Sequence, residues 1–129
     1  MQSTIIFCRE PINIPPPPLR SLEIGSILEF HGLVRELEGG RKLSGLFYEA
    51  HEPMARKRLE FHLSALQAAH PVDSVEFIHR LDWVPVGEAS LYIRVCSSHR
   101  AEGLLFLSEL VVLLKQDVPI WKLENAPGS

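Results

Sequence analysis

The stretch ASLYIRVCSSHRAEGLLFLSELVVLLKQDVPIWK, residues 89–122, places a strand, a helix and an abrupt helix stop in succession. Its first nine residues are β-rich, and the serines that follow are candidate N-caps for the helix. We expect a helix over residues 99–115 that ends before Pro119, because proline cannot continue the helical hydrogen bonds. Its surface is apolar almost all round, so more than one side must be buried. A central core position or a subunit interface would supply that burial.

Outside this stretch, the chain predicts a second helix and further strands. Pro53 takes the position that proline prefers at a helix start, apolar residues recur at helical spacing from Ala55 to Ala69, and Pro71 closes the helix. Strands are predicted at residues 3–9, 26–35, 43–50, 75–81 and 89–97. The second and third of these read as a hairpin with a flexible basic tip at Arg41-Lys42. The fold class is therefore α+β, with two main helices on antiparallel strands.

Length and composition indicate one ordinary globular domain over residues 1–129. The net charge of -3 gives no basic face for nucleic acid. The N-terminus lacks the basic start of a signal peptide, and the longest apolar stretch is too short to span a bilayer, so we expect a cytoplasmic protein with no membrane partner. Cys8 and Cys96 lie far apart in sequence, which favours two core thiols over a disulfide. The run Pro15 to Pro18 predicts a stiff polyproline-II connector and, with less support, a ligand for a proline-binding module.

Two lysines flank the helix stop, and they are the first candidates for chemistry. Lys115 and Lys122 stand close in sequence to Val118, Ile120 and Trp121, and a lysine among apolar groups loses water. Desolvation disfavours the ammonium form, so such an amine can act as a nucleophile or a base. The alternative is that Lys115 complements the negative end of the helix and Lys122 is a solvated surface charge. On this segment alone, the alternative is favoured.

A candidate anion site lies at the other end of the same helix. The start Ser97-Ser98-His99-Arg100 combines free N–H groups with a guanidinium and an imidazole. Arg35 is a further candidate, because it follows a strand shortly after Gly32. A plain capped helix start and a charge at a hairpin edge remain open as alternatives. His79-Arg80 is interpreted as structural or interfacial, and the histidines show no spacing that predicts a metal site.

Several short motifs occur in a fixed order along the chain. They are Phe30-x-Gly32-x-Val34-Arg35, Tyr48-Glu49-x-x-x-x-Met54-Ala55, His79-Arg80, Gly87-Glu88, Ser98-His99-Arg100 and Lys115-x-x-Val118-Pro119-Ile120-Trp121-Lys122-x-Glu124. Together they resemble the large, catalytic subunit of molybdopterin synthase. The resemblance covers residues 26–124, and residues 1–25 form a divergent N-terminal strand and proline-rich loop.

The resemblance implies an α/β-hammerhead-like fold and a sulfur-transfer activity. Family members add two sulfurs to cyclic pyranopterin monophosphate, and this forms a dithiolene. The sulfur arrives as a thiocarboxylate on the Gly-Gly C-terminus of a small ubiquitin-like subunit. The large subunits form a homodimer within a heterotetramer and need no metal or organic cofactor.

The resemblance also assigns roles to the candidate residues. Lys115 and Lys122 match the catalytic lysines, while Arg35, His99 and Arg100 match the residues that bind the anionic substrate. The alternative is a divergent relative that binds an anion or a partner without catalysis. An adaptor that acts through the proline run is less favoured. Many members continue beyond the position of Ser129 with a tail that adds a basic residue to the pocket. The part of the site that binds phosphate is therefore expected to differ from that of those members.

Overall fold

The computed structural model describes residues 1–17 and 21–123 of the chain. The predicted α+β class with two main helices is confirmed, and the helices are α1 (Glu52–Ala69) and α2 (Arg100–Asp117). The strands are β1 (Gln2–Cys8), β2 (Ser26–Leu33), β3 (Leu37–Glu38), β4 (Arg41–Lys42), β5 (Gly45–Ala50), β6 (Ser74–Arg80), β7 (Asp82–Pro85), β8 (Ala89–Ser97) and β9 (Ile120–Leu123). No helix in these described residues is long and apolar enough to cross a membrane.

The main sheet has the strand order β1-β6-β8-β2, and both helices pack on one of its faces. Side chains alternate between the faces of a strand, so Phe77 of β6 and Ile93 of β8 point toward the helices. They form the core with Leu59 of α1 and with Phe106 and Leu110 of α2, all fully buried. The sheet is mixed, since β1 runs parallel to β6 although all strands were expected to be antiparallel. A parallel pair needs a long crossover, and here more than sixty residues separate the two strands.

The opposite face of the main sheet is crossed by the proline-rich segment. Arg94 of β8 is 2% exposed and forms an ion pair with Glu76 of β6. It also donates to the carbonyl oxygens of Pro15 and Pro16 at 2.8 and 2.9 Å. Pro18, the last residue of the run, lies outside the described residues. A buried guanidinium needs such partners to offset its desolvation, so Arg94 fixes residues 15–16 against the sheet.

A second sheet has the order β7-β5-β9, and the predicted hairpin of residues 26–35 with 43–50 is wrong. β2 pairs with β8 instead, and β5 pairs with β7 and β9. The reason is a second apolar cluster, in which Leu46 of β5 packs with Val84 of β7. The actual hairpin is the short pair β3 and β4, where Arg41-Lys42 forms a strand and Gly39-Gly40 makes the turn.

Helix α2 is only partly covered within one chain, although its composition predicts burial on several sides. Gly103, Phe106 and Leu110 are buried, while Leu104, Leu105 and Val112 are more than half exposed. The serine N-cap prediction is also wrong. His99 occupies the N-cap position without a side-chain hydrogen bond to the helix, and the Ser97 hydroxyl donates to the His99 carbonyl at 2.7 Å. An apolar helix face is therefore left exposed beside an uncapped helix start.

Candidate active site

A cleft of about 400 Å³ lies where the C-terminal end of α2 meets both sheets. Its walls include apolar side chains of β2, β5 and α2. The polar groups come from different elements, and they include Arg35, which follows β2, Glu38 of β3, Tyr48 of β5, His79 of β6, Ser90 of β8, Lys115 of α2 and Lys122 of β9. The cleft thus collects charged residues that lie up to 87 positions apart in the sequence.

The two lysines reach this cleft because the chain reverses after α2. The helix ends at Asp117, and Val118 adopts an extended conformation and is buried. β9 then runs antiparallel to β5, which places Lys122 opposite Tyr48. The helix stop predicted before Pro119 is confirmed, and the reversal that follows brings Lys115 and Lys122 to the same cleft. Glu124, the last residue of the quoted motif, lies outside the described residues.

The lysines are not shielded from solvent as the sequence suggested. Lys115 and Lys122 are both exposed within one chain. Trp121 is 45% exposed, and only Val118 of the three apolar neighbours is fully buried. Proximity in sequence did not give burial, because Lys115 lies on an exposed part of α2 and the last three residues of β9 are all exposed. Any chemistry at these lysines therefore rests on the charges around them and not on desolvation within the single chain.

Glu38 is the ionic partner of Lys122. The Lys122 Nζ lies 2.6 Å from Glu38 Oε1, and the two side chains are 43% and 21% exposed. The hydrogen bond from Lys122 lowers the pKa of the Glu38 carboxyl, and the charges of Arg35 and Lys115 act in the same direction. A carboxylate thus lies in the combined field of Lys122, Arg35 and Lys115. Glu38 was not among the residues predicted from the sequence, because no local pattern links a hairpin residue to a lysine 84 positions away.

His79 contributes a neutral imidazole to the cleft wall. Its side chain is buried, and burial lowers its pKa to about 4, so it is uncharged near neutral pH. The Nδ1 lies 2.8 Å from the carbonyl oxygen of Arg80. A carbonyl only accepts, so Nδ1 carries the proton and Nε2 keeps its lone pair. The sequence interpreted His79 as structural or interfacial and did not place it at this cleft. Val75, Phe77 and His79 occupy alternate positions of β6 and so lie on one face of the sheet, and this pattern indicates that His79 is buried on the same side as the core.

Arg35, Lys115 and Lys122 meet at the cleft, whereas His99 and Arg100 do not. His99 and Arg100 are exposed at the N-terminal end of α2. At 1.5 Å per residue, about 22 Å of helix separates Arg100 from Lys115. One chain therefore assembles only part of the predicted set of residues at one place.

The two helices differ in how their N-cap histidines are used. At the start of α1, the ring nitrogen Nδ1 of His51 accepts from the Met54 N–H at 3.2 Å. At the start of α2, His99 makes no such bond. The N–H groups of the first turn of α2 consequently have no side-chain acceptor from their own N-cap. Among the described residues, no group of three or more His, Cys, Asp or Glu is arranged to hold a metal ion.

Comparisons with known proteins identify the family. A family model described as MoaE protein matches residues 10–117. The molybdopterin synthase catalytic subunit of Oryza sativa subsp. indica is 39% identical over 106 residues, which make up 82% of this chain and 55% of that protein. The chain spans about half the length of the curated relatives it matches.

Solved structures agree with the sequence comparison. The crystal structure of molybdopterin synthase from Staphylococcus aureus has a TM-score of 0.79 at 28% identity, covering 90% of this chain and 86% of that chain. A complex of subunits 1 and 2 of the molybdopterin-converting factor from Helicobacter pylori contains a chain with a TM-score of 0.75 at 18% identity. That match covers 97% of this chain and 86% of that one, and it shows likeness of fold alone.

Proposed function

The chain belongs to the MoaE protein family, and from that premise we propose that it is the catalytic subunit of a molybdopterin synthase. In this function it transfers sulfur from the C-terminal thiocarboxylate of a small ubiquitin-like subunit to cyclic pyranopterin monophosphate. The product is the dithiolene of molybdopterin. The observation that carries the proposal is the cleft in which Arg35, Lys115 and Lys122 come together from separate elements.

The charge of the cleft suits both reactants. The pterin substrate carries a phosphate and the small subunit carries a thiocarboxylate, so both bring negative charge. A guanidinium such as that of Arg35 binds phosphate through two parallel hydrogen bonds, and an ammonium binds an anion as a point charge. Cations placed where charge develops also stabilise the transition state. Anion attraction and catalysis thus need the same side chains.

Within this site we assign the two lysines different tasks. Lys115 lies nearest the thiocarboxylate of the small subunit, where its positive charge attracts and orients the tail. Lys122 orients the pterin or transfers a proton as sulfur adds to the pterin side chain. The imidazole of His79 is a neutral neighbour in the same wall. The absence of a resident metal or organic cofactor remains a prediction.

A homodimer would complete the site. The exposed apolar face of α2, formed by Leu104, Leu105 and Val112, is of the kind that a second copy buries. His99 and Arg100 lie too far from Lys115 within one chain to reach its cleft. If the predicted residues act at one site, the second copy must supply that pair. We therefore propose a symmetric dimer with two composite sites, each served by a small subunit, in the cytoplasm.

Reconstitution tests the proposal directly. The purified chain, a thiocarboxylated small subunit and cyclic pyranopterin monophosphate are mixed, and the dithiolene product is measured. We expect product with the wild-type chain and a loss of at least about 100-fold with Lys115→Ala, the size typical of a lost catalytic proton-transfer or charge-stabilising group.

Lys57→Ala is the matched control, since Lys57 is an exposed lysine on α1 away from the cleft. It should retain wild-type activity. Full activity in Lys115→Ala would refute the role of that lysine. A wild-type chain that binds the small subunit but forms no dithiolene would favour the non-catalytic relative.

A further inference from the structure

Glu38 has no role in the function proposed above, yet it is the one carboxylate among the described residues that line the cleft. It contacts Lys122 directly, at 2.6 Å. The side chain is only 21% exposed, which is low for a carboxylate on a short hairpin. A buried or half-buried charge is retained where it has a partner, and here the partner is a proposed catalytic lysine.

The hairpin that carries Glu38 holds it over the cleft. β3 and β4 are two residues each, and the turn between them consists of Gly39 and Gly40 at φ values of +58° and +78°. Only glycine adopts such angles readily. The second ion pair of this hairpin, Glu36 with Lys42 at 3.1 Å, lies among exposed side chains, and neither residue lines the cleft. The hairpin thus has one carboxylate inside the site and one outside it.

We propose that Glu38 is an exchangeable counter-ion of Lys122, whose place an anionic group of the ligand takes on binding. Because two negative groups repel each other, an anion that pairs with Lys122 is favoured to do so in place of the Glu38 carboxylate. The displaced carboxylate also repels an anion bound at Arg35 and Lys115. Glu38 thereby weakens anion binding and keeps Lys122 oriented into the cleft between turnovers. The identity of the ligand rests on the proposed function, whereas the exchange itself depends only on charge.

Inorganic sulfate is a suitable probe, because its charge stays constant over the pH range in which the protein is studied. Sulfate is titrated into the purified chain, and the side-chain ammonium signal of Lys122 is followed by NMR. We expect Glu38→Gln to bind sulfate roughly two- to fivefold more tightly than wild type, the range of a partly exposed ion pair. Glu36→Gln is the matched control and should bind sulfate like wild type.

The end point of the titration separates exchange from a structural role. Without sulfate, the Lys122 signals of wild type and Glu38→Gln should differ, since one lysine has a carboxylate partner and the other does not. At saturating sulfate the two signals should converge, because Lys122 then has sulfate as its partner in wild type and in Glu38→Gln alike. Unchanged or weaker sulfate binding in Glu38→Gln, or signals that stay apart at saturation, would overturn the proposal.

The outcome is distinguishable from a failure of the proposed function. Tighter sulfate binding in Glu38→Gln together with no dithiolene from wild type would support the counter-ion and reject the enzyme. Dithiolene formation by wild type together with unaltered sulfate binding in Glu38→Gln would support the enzyme and reject the counter-ion. Glu38→Ala, which also removes the charge, should change sulfate binding in the same direction as Glu38→Gln.

Discussion

The two ends of α2 carry predicted functional residues in contrasting surroundings. At the C-terminal end, Lys115 opens into a cleft that also contains Arg35, Glu38 and Lys122. At the N-terminal end, His99 and Arg100 are exposed, and His99 does not cap its own helix. One end belongs to a cleft built within a single chain, and the other carries exposed side chains that do not line that cleft. In the proposed dimer, the second end serves the cleft of another copy.

Separating the copies should have the largest effect, because it would disconnect the two ends. Leu105→Glu introduces a charge on the exposed apolar face of α2, where Leu105 is 51% exposed. We expect this variant to fold, to run as a monomer in sedimentation velocity, and to lose nearly all dithiolene formation although its own cleft is intact.

Lys57→Glu, which places the same charge on the exposed face of α1, is the control for Leu105→Glu and should remain dimeric and active. A monomeric Leu105→Glu chain with full activity would show that each cleft works alone. A dimer that survives the substitution would place the interface elsewhere.

A smaller effect is expected at the uncapped start of α2. Serine at an N-cap accepts from the first-turn N–H groups and stabilises a helix by about 1 kcal/mol relative to a residue that makes no cap bond. His99→Ser should therefore raise the free energy of unfolding by up to about 1 kcal/mol while lowering dithiolene formation. Chemical denaturation and the reconstituted assay measure the two quantities.

His51→Ser on α1 is the matched control for His99→Ser. It replaces a histidine that already caps its helix, so it should change neither stability nor activity appreciably. Unaltered activity in His99→Ser would mean that this end of α2 has no part in the reaction.

The smallest effect is expected where the C-terminal end of α2 is held against α1. Asp117, the last residue of α2, accepts from Arg58 and lies 2.7 Å from His62 Nε2 on α1. The hydrogen bond from Arg58, followed by that from His62, lowers the pKa of the Asp117 carboxyl below its ordinary value. The carboxylate therefore stabilises the fold above its ordinary pKa, and this stabilisation is lost as the pH falls through the lowered pKa.

Asp117→Asn should thus unfold more easily than wild type near neutral pH, and the difference should close in acid. Urea denaturation at a series of pH values checks this, with Glu60→Gln on the exposed face of α1 as the control. A difference that persists unchanged at low pH would assign the effect to packing and not to charge.

The sequence predicted best the parts of the site that depend on local chemistry. The apolar content of residues 104–114 predicts α2, and Pro119 predicts the reversal that brings Lys122 back toward Lys115. The motif order also identified the family. The first two signals come from propensity and from backbone geometry, which act over a few residues.

The sequence failed where partners are distant along the chain. The pairing of β2 with β8 and the parallel β1 depend on how the sheet assembles, which no turn signal encodes. The exposure of Lys115 and the ion pair between Lys122 and Glu38 likewise depend on how separate elements are placed. The sequence also did not indicate that the five predicted residues separate into two groups, with Arg35, Lys115 and Lys122 at the cleft and His99 and Arg100 at the other end of α2.

Subunit complementation tests the central claim most directly. Dithiolene formation with the thiocarboxylated small subunit and the pterin substrate is measured first for Lys115→Ala alone and for Arg100→Ala alone. The two variants are then mixed in equal amounts, allowed to exchange chains between dimers, and measured again. In a composite site, half of the mixed population consists of heterodimers with one intact site each, so about a quarter of the wild-type sites should return. A mixture that recovers this fraction of dithiolene formation supports the account, and a mixture no more active than its two components contradicts it.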